Sequence, residues 1–158
     1  MMDEREWLSV LEADLRKKAD RKDSLPTLSL LVSSDDPEIR NSAVWCVAKS
    51  AQNKVGGRAI LDILVPLGSD NDQEIRENVA WGIGEISGTG ISDLRAVIVI
   101  IKLLSDKEKM VRGMAAWAAG RMIHRLGEDD PVMIAKLKDL ENDPSEYVRN
   151  AAGFALKG

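Results

Sequence analysis

Leucine, isoleucine and valine recur along this chain at helical spacing, in blocks separated by short polar turns. Leu28 and Leu31, Leu64 and Leu67, Ile100 and Leu103, and Leu137 and Leu140 each sit one turn apart, as one face of a helix requires. The turns that follow are Ser33-Ser34-Asp35-Asp36, Ser69-Asp70-Asn71-Asp72, Ser105-Asp106 and Asn142-Asp143. Such residues cap a helix by accepting its free N–H groups, so each turn predicts a second helix behind it. Pro37 and Pro144 stand where a first-turn proline is tolerated. Pro26 and Pro131 open first helices in the same way, behind Ser24 and Asp130. No run of alternating polarity predicts a strand.

The blocks are copies of one another. Arg40, Arg76, Arg112 and Arg149 are spaced by 36, 36 and 37 residues, and each follows a β-branched residue: Ile39, Ile75, Val111 and Val148. Three positions after the arginines stand Ala43, Val79, Ala115 and Ala152, and seven after stand Val47, Ile83, Ala119 and Leu156. Five after stand Trp45, Trp81, Trp117 and Phe154, four of the six aromatic residues in the chain. Self-similarity at such a period marks a stacked array of supersecondary units. The units fall at about 24–52, 56–88, 92–126 and 130–158, making one continuous domain over 23–158. Residues 1–22 lie outside the period. Trp7, Leu8, Leu11 and Leu15 share one helical face there, which predicts a helix capping the open end of the stack.

At about 100° per residue, the positions one before and three, six, seven and ten after each arginine cluster on one side. That side holds Ile39, Ala43, Cys46 and Val47 in the first unit and Val111, Ala115, Ala118, Ala119 and Met122 in the third. It reads as core, and Cys46 there reads as a small buried apolar residue rather than a nucleophile. The aromatic position points away from the core, together with the positions one, eight and nine after the arginine. Trp45 then has Asn41 and Lys49 a turn away, Trp81 has Glu77 and Glu85, and Trp117 has Gly113 and Arg121, with His124 two turns on. Ala48, Gly84 and Gly120 lie beside the rings. Two readings follow: indoles packed between adjacent second helices, or an aromatic strip in a recognition groove.

Composition narrows the function. The chain has 158 residues, with 22 Lys+Arg against 26 Asp+Glu and a net charge of -4. The acidic balance argues against a constitutive nucleic-acid binder. No apolar run approaches a membrane span, and the acidic start Met-Met-Asp-Glu-Arg-Glu is unlike a signal peptide. A single cysteine forms no internal disulfide, so a cytoplasmic location is expected. Arg16, Lys17, Lys18, Arg21 and Lys22 gather at the end of the first helix, where cations favour the helix dipole. The one histidine, His124, cannot build a multi-histidine metal site, and it reads as solvent-facing. No Gly-rich phosphate loop, CxxC pair or placeable Ser-His-Asp set is present. No catalytic, cofactor or metal-binding residue is expected.

Residues 106 to 120, Asp-Lys-Glu-Lys-Met-Val-Arg-Gly-Met-Ala-Ala-Trp-Ala-Ala-Gly, carry an aspartate turn, Val-Arg, then small residues in an apolar helix. This pattern resembles the HEAT-repeat family, and in particular the short HEAT-like repeats found in phycobilisome lyases. The resemblance covers about residues 24 to 158. It implies an all-α solenoid: a right-handed superhelix of four antiparallel helix pairs, with second helices lining the concave side. It also implies that Arg40, Arg76, Arg112 and Arg149 form a structural ladder with acidic residues of the preceding turn or of the neighbouring repeat. Asp70, Asp106 and Asp143 lie six residues before their arginines, with Asp35 and Asp36 in the first unit. The iron-binding His-Glu pairs of the HEAT-repeat hydroxylases are absent. The expected function is a non-catalytic scaffold binding a protein or peptide partner on its concave face, through Trp45, Trp81, Trp117, Glu77, Glu85 and Arg121. The alternative is a nucleic-acid binder resembling the DNA-alkylation-repeat glycosylases, which Trp81 with Glu85 one turn later suggests faintly.

Overall fold

The structure is a computed structural model and describes residues 1–157. Among these residues are nine α-helices and no strand: α1 (Glu4–Arg16), α2 (Leu25–Leu31), α3 (Pro37–Gln52), α4 (Arg58–Leu64), α5 (Gln73–Gly88), α6 (Leu94–Leu103), α7 (Lys109–Leu126), α8 (Pro131–Leu140) and α9 (Glu146–Lys157). Helix α1 is followed by four pairs, α2/α3, α4/α5, α6/α7 and α8/α9, and the whole is an all-α solenoid. In the second pair, α4 tightens into a 3₁₀ turn over Val65–Leu67, where Pro66 supplies no N–H.

Caps set most of the helix starts. Asp36, Asp72, Asp93 and Asp130 each accept a backbone N–H of the first turn of α3, α5, α6 and α8. Pro37 and Pro131 occupy the first turn behind them. Three sequence expectations are corrected, the first being that Asp106 does not cap α7, whose N-cap residue Glu108 makes no side-chain cap bond. The Ser24 hydroxyl donates to the Arg21 carbonyl and does not cap α2. Pro144 lies in the turn before α9 rather than in its first turn, because α9 begins at Glu146.

The helices form two rows. The second helices pack side by side, α1 on α3, α3 on α5, α5 on α7 and α7 on α9, while contacts between successive first helices are sparse. A stack whose members are closer on one side bends toward that side, so the second-helix row is the inner one. Small residues bring it together. A Cβ on Gly84 would fall 3.1 Å from the Ala118 Cα, and one on Gly120 would fall 3.1 Å from the Ala155 Cα. The core runs continuously from Leu8, Leu11 and Leu15 to Val148, Ala152 and Ala155. The positions four and eight after the first three arginines are also buried: Val44, Ala80 and Ala116, then Ala48, Gly84 and Gly120. Of the latter row, which the sequence places beside the rings, Gly84 lies under the Trp117 ring and Gly120 borders open space.

The four arginines do not pair with the aspartate carboxylates of their own turns. Arg76 donates through Nε and Nη2 to Asp106 at 2.7 and 3.1 Å, and Arg112 donates likewise to Asp143 at 2.8 and 3.0 Å. Arg40 lies 3.4 Å from Asp70, without hydrogen-bond geometry at Nε. Each carboxylate belongs to the turn of the following unit. Towards its own turn, each arginine donates to a backbone carbonyl six residues back: Ser34, Asp70, Asp106 and Asp143. The same aspartates fold their turns by accepting the N–H two residues on, in Asp72, Glu108 and Ser145. Arg149 is exposed and contacts only the Asp143 and Pro144 carbonyls among the described residues. At the other end, α1 stacks as an incomplete second helix. Its Arg5, 35 residues before Arg40, pairs with Asp36 and Glu38 of the first turn.

Candidate functional site

The inner row carries a groove of about 680 Å³. Its walls come from three consecutive second helices. Helix α5 supplies Trp81 and Glu85. Helix α7 supplies Gly113, Met114, Trp117, Gly120, Arg121 and His124. Helix α9 supplies Tyr147, Asn150, Ala151, Phe154 and Ala155, and Gln52 closes the end nearest α3. The groove exists because α5 and α7 each bear a glycine where a ring of the next second helix packs. At Gly113 a Cβ would fall 2.0 Å from the Tyr147 ring, and at Gly84 one would fall 2.4 Å from the Trp117 ring.

The indoles combine features of both readings. Trp45, Trp81 and Trp117 are all half-buried. Trp117 lies on Gly84 of the preceding unit, so one edge packs between helices while the other borders the groove. Trp81 also lines the groove and tilts at 45° against Trp45, with 6.5 Å between ring centres. Trp45 itself is outside the groove: Arg16 of α1 stands 4.7 Å over its ring. Part of the basic cluster at the end of α1 is thus engaged, since Arg21 also pairs with Asp14 and Asp23. Asn41 does not face the groove, because its amide donates to Asp72 of the next turn.

Of the charged candidates, Glu85 and Arg121 line the groove and Glu77 does not. Burial, and then the charge of Glu74, push the Glu77 carboxyl above its ordinary value. Burial, and then the charge of Glu77, push up the Tyr147 phenol. Arg121 lies across Gly88, where a Cβ would fall 1.9 Å from its Nη2. Its guanidinium stands 5.6 Å from the Trp117 ring centre, a cation–π distance. His124 is exposed at the same end of the groove. Phe154, 74% exposed, and Tyr147 form the far wall. Sequence reasoning placed Phe154 on the aromatic register but did not make it a site residue. Tyr147 was missed, because it lies off the period and reaches the groove only through Gly113.

The groove is lined mainly by aromatic and small side chains, with Glu85, Arg121 and His124 among them. Among the described residues, no three His, Cys, Asp or Glu side chains gather as a metal site. Cys46 is fully buried, and burial pushes its thiol up to about 12, far from a reactive thiolate.

A family model described as HEAT repeats matches residues 59–157, more than half of the chain. The chain belongs to the HEAT-repeat family. No protein of curated function matches it. Among solved structures, this HEAT-repeat chain is similar to a computationally designed armadillo repeat protein for modular peptide recognition. The TM-score is 0.69 at 19% identity, over 97% of this chain and 75% of that one. A designed armadillo repeat protein in complex with the peptide (KR)4 gives a TM-score of 0.68 at 19% identity, over 99% and 76%. An engineered protein determined by a structural genomics consortium gives 0.64 at 24% identity, over 84% of this chain. The HEAT-repeat chain spans 60% of the length of that engineered protein. These likenesses show the fold. Among the described residues, no helix is long and apolar enough to cross a membrane.

Proposed function

We propose that this HEAT-repeat protein is a non-catalytic scaffold that binds a protein or peptide segment in the groove over α5, α7 and α9. One observation carries the reading: a preformed aromatic cleft on the inner helix row, with Trp81, Trp117, Tyr147 and Phe154 around a floor of small residues. Clefts that bind ligands are mostly apolar with a few placed polar groups, and buried aromatic and Arg anchors dominate interface energetics. The floor is held by close backbone packing, so little reorganisation opposes binding. The designed armadillo proteins, one of them in complex with a peptide, support peptide binding by a solenoid of this shape. The mixed charges along that row, Lys49, Glu77, Glu85 and Arg121, suit a polypeptide better than a continuous phosphate backbone. We place the protein in the cytoplasm, where a buried free thiol such as Cys46 stays reduced.

The test is selection of peptides from a displayed library on the wild-type protein, followed by affinity measurements on Trp81→Ala and Trp117→Ala. The expected result is a loss of about 2 kcal/mol of binding for each variant, roughly 30-fold, with the helical fold retained. Undiminished binding by both variants would place the site elsewhere on the molecule.

A further inference from the structure

Two charged groups in the groove have no opposite charge. Glu85 and Arg121 occupy the same register position on neighbouring second helices, nine residues after Arg76 and Arg112, and both line the groove. Neither reaches an oppositely charged group within 4.0 Å among the described residues, and they do not pair with each other. Arg121 is the sharper case. It is half-buried, its Nε is fully covered without a hydrogen-bond partner, and its guanidinium is held over Trp117 by the gap at Gly88. Arg76 and Arg112, on the same two helices, each have a carboxylate. A half-buried guanidinium held in one place and left unpaired is poised for an anion from outside. Glu85, one helix away, is suited to a cation in the same way.

The spacing fixes what can satisfy both. Helices packed through Gly84 and Ala118 lie at the near end of the usual interaxial range, about 8 Å. Extended chain advances about 3.3 Å per residue. We infer that the groove takes an extended peptide segment with a cationic and an acidic residue two or three positions apart. The cation sits on Glu85, the carboxylate on Arg121, and an apolar side chain between them lies against Trp81 and Trp117. This rests on the reading of the groove as a peptide site. A polyanion is disfavoured, because it would lay charge against Glu85 wherever it reached Arg121.

The inference is tested by fluorescence anisotropy with short labelled peptides that share a central Leu-Trp pair. Their flanks are Lys and Glu, Lys and Lys, Glu and Glu, or Gln and Gln, and a labelled oligothymidylate is the fifth probe. The mixed peptide is expected to bind the wild-type protein about tenfold more tightly than either like-charged peptide. Arg121→Met should bring it down to the level of the Gln peptide, and Arg121→Glu should make the Lys/Lys peptide the best ligand. Circular dichroism melts check that the variants fold. If Arg121→Glu does not fold, Glu85→Lys should instead move the preference to the Glu/Glu peptide. Equal affinities for all four peptides, with binding still lost in Trp117→Ala, would overturn the charge assignment and leave the peptide site standing. No peptide binding at all, or tighter binding of the oligonucleotide, would overturn both.

Discussion

Arg76 is 6% exposed and joins its helix to two turns at once, through the Asp106 carboxylate and the carbonyls of Asp70 and Asn71. Removing it leaves a half-buried carboxylate and two carbonyls short of donors. Arg76→Ala should therefore cost about 2–3 kcal/mol, against less than about 0.5 kcal/mol for Lys138→Ala on the exposed face of α8. Equal chemical-denaturation midpoints would contradict this. The same contacts give a pH signature. Burial acts to raise the Asp106 and Asp143 carboxyls. Hydrogen bonds from Arg76 and Arg112, the backbone N–H groups of Glu108 and Ser145, and the arginine charges outweigh it, so both carboxyls are held below the usual range. A carboxyl depressed on folding adds stability above its unfolded pKa of about 3.9 and loses it as pH falls through the folded value. Stability should fall steeply below about pH 4, and Arg76→Ala should flatten that fall; parallel acid titrations of the two proteins would show otherwise. The arginine period was plain in the sequence. The direction of pairing was not, because each turn offers the same aspartate to two arginines and only the stacking decides which receives its carboxylate.

Helices α5 and α7 meet where side chains are missing. Gly84→Ala would put a methyl group 2.4 Å from the Trp117 ring and 3.1 Å from the Ala118 Cα, with backbone on one side. Overpacking of this kind costs typically about 1–3 kcal/mol. The expected result is a lower melting temperature together with a shift in Trp117 fluorescence, and an unchanged melt would mean the helices are not held this close. Helix ends offer the opposite change. Helix α3 is closed by Lys54 at φ 64°, with Lys54 and Val55 N–H groups donating back to Ala51 and Ser50. An L side chain is strained there, so Lys54→Gly should stabilise by about 0.5–1 kcal/mol, and a destabilised variant would contradict that geometry. The helix pairs were legible because arginine, leucine and aromatic registers repeat together. The left-handed closure of α3 was not, since no glycine stands at Lys54. The role of α1 as an incomplete second helix was also hidden: Arg5 keeps the spacing but lacks the aromatic and small residues that mark the register.

Over the whole molecule, the close packing of the second helices bends the stack and gathers Trp81, Trp117, Tyr147 and Phe154 on one surface. The fold was legible from the period alone, and so was the outward turn of the aromatic register. Which aromatics share a groove was not, because that depends on what lies across each interface. Trp45 meets Arg16 and Trp81, whereas Trp117 meets Gly84 and leaves space beside Tyr147 and Phe154. The central claim is that the space over α5, α7 and α9 is where a partner binds. The four tryptophans make it directly measurable, since each has one indole N–H with its own ¹H–¹⁵N signal. Titration of the ¹⁵N-labelled protein with a selected peptide should move the Trp81 and Trp117 indole signals together and leave Trp7, on α1, in place. Movement of Trp7 with Trp81 and Trp117 unshifted would contradict the account.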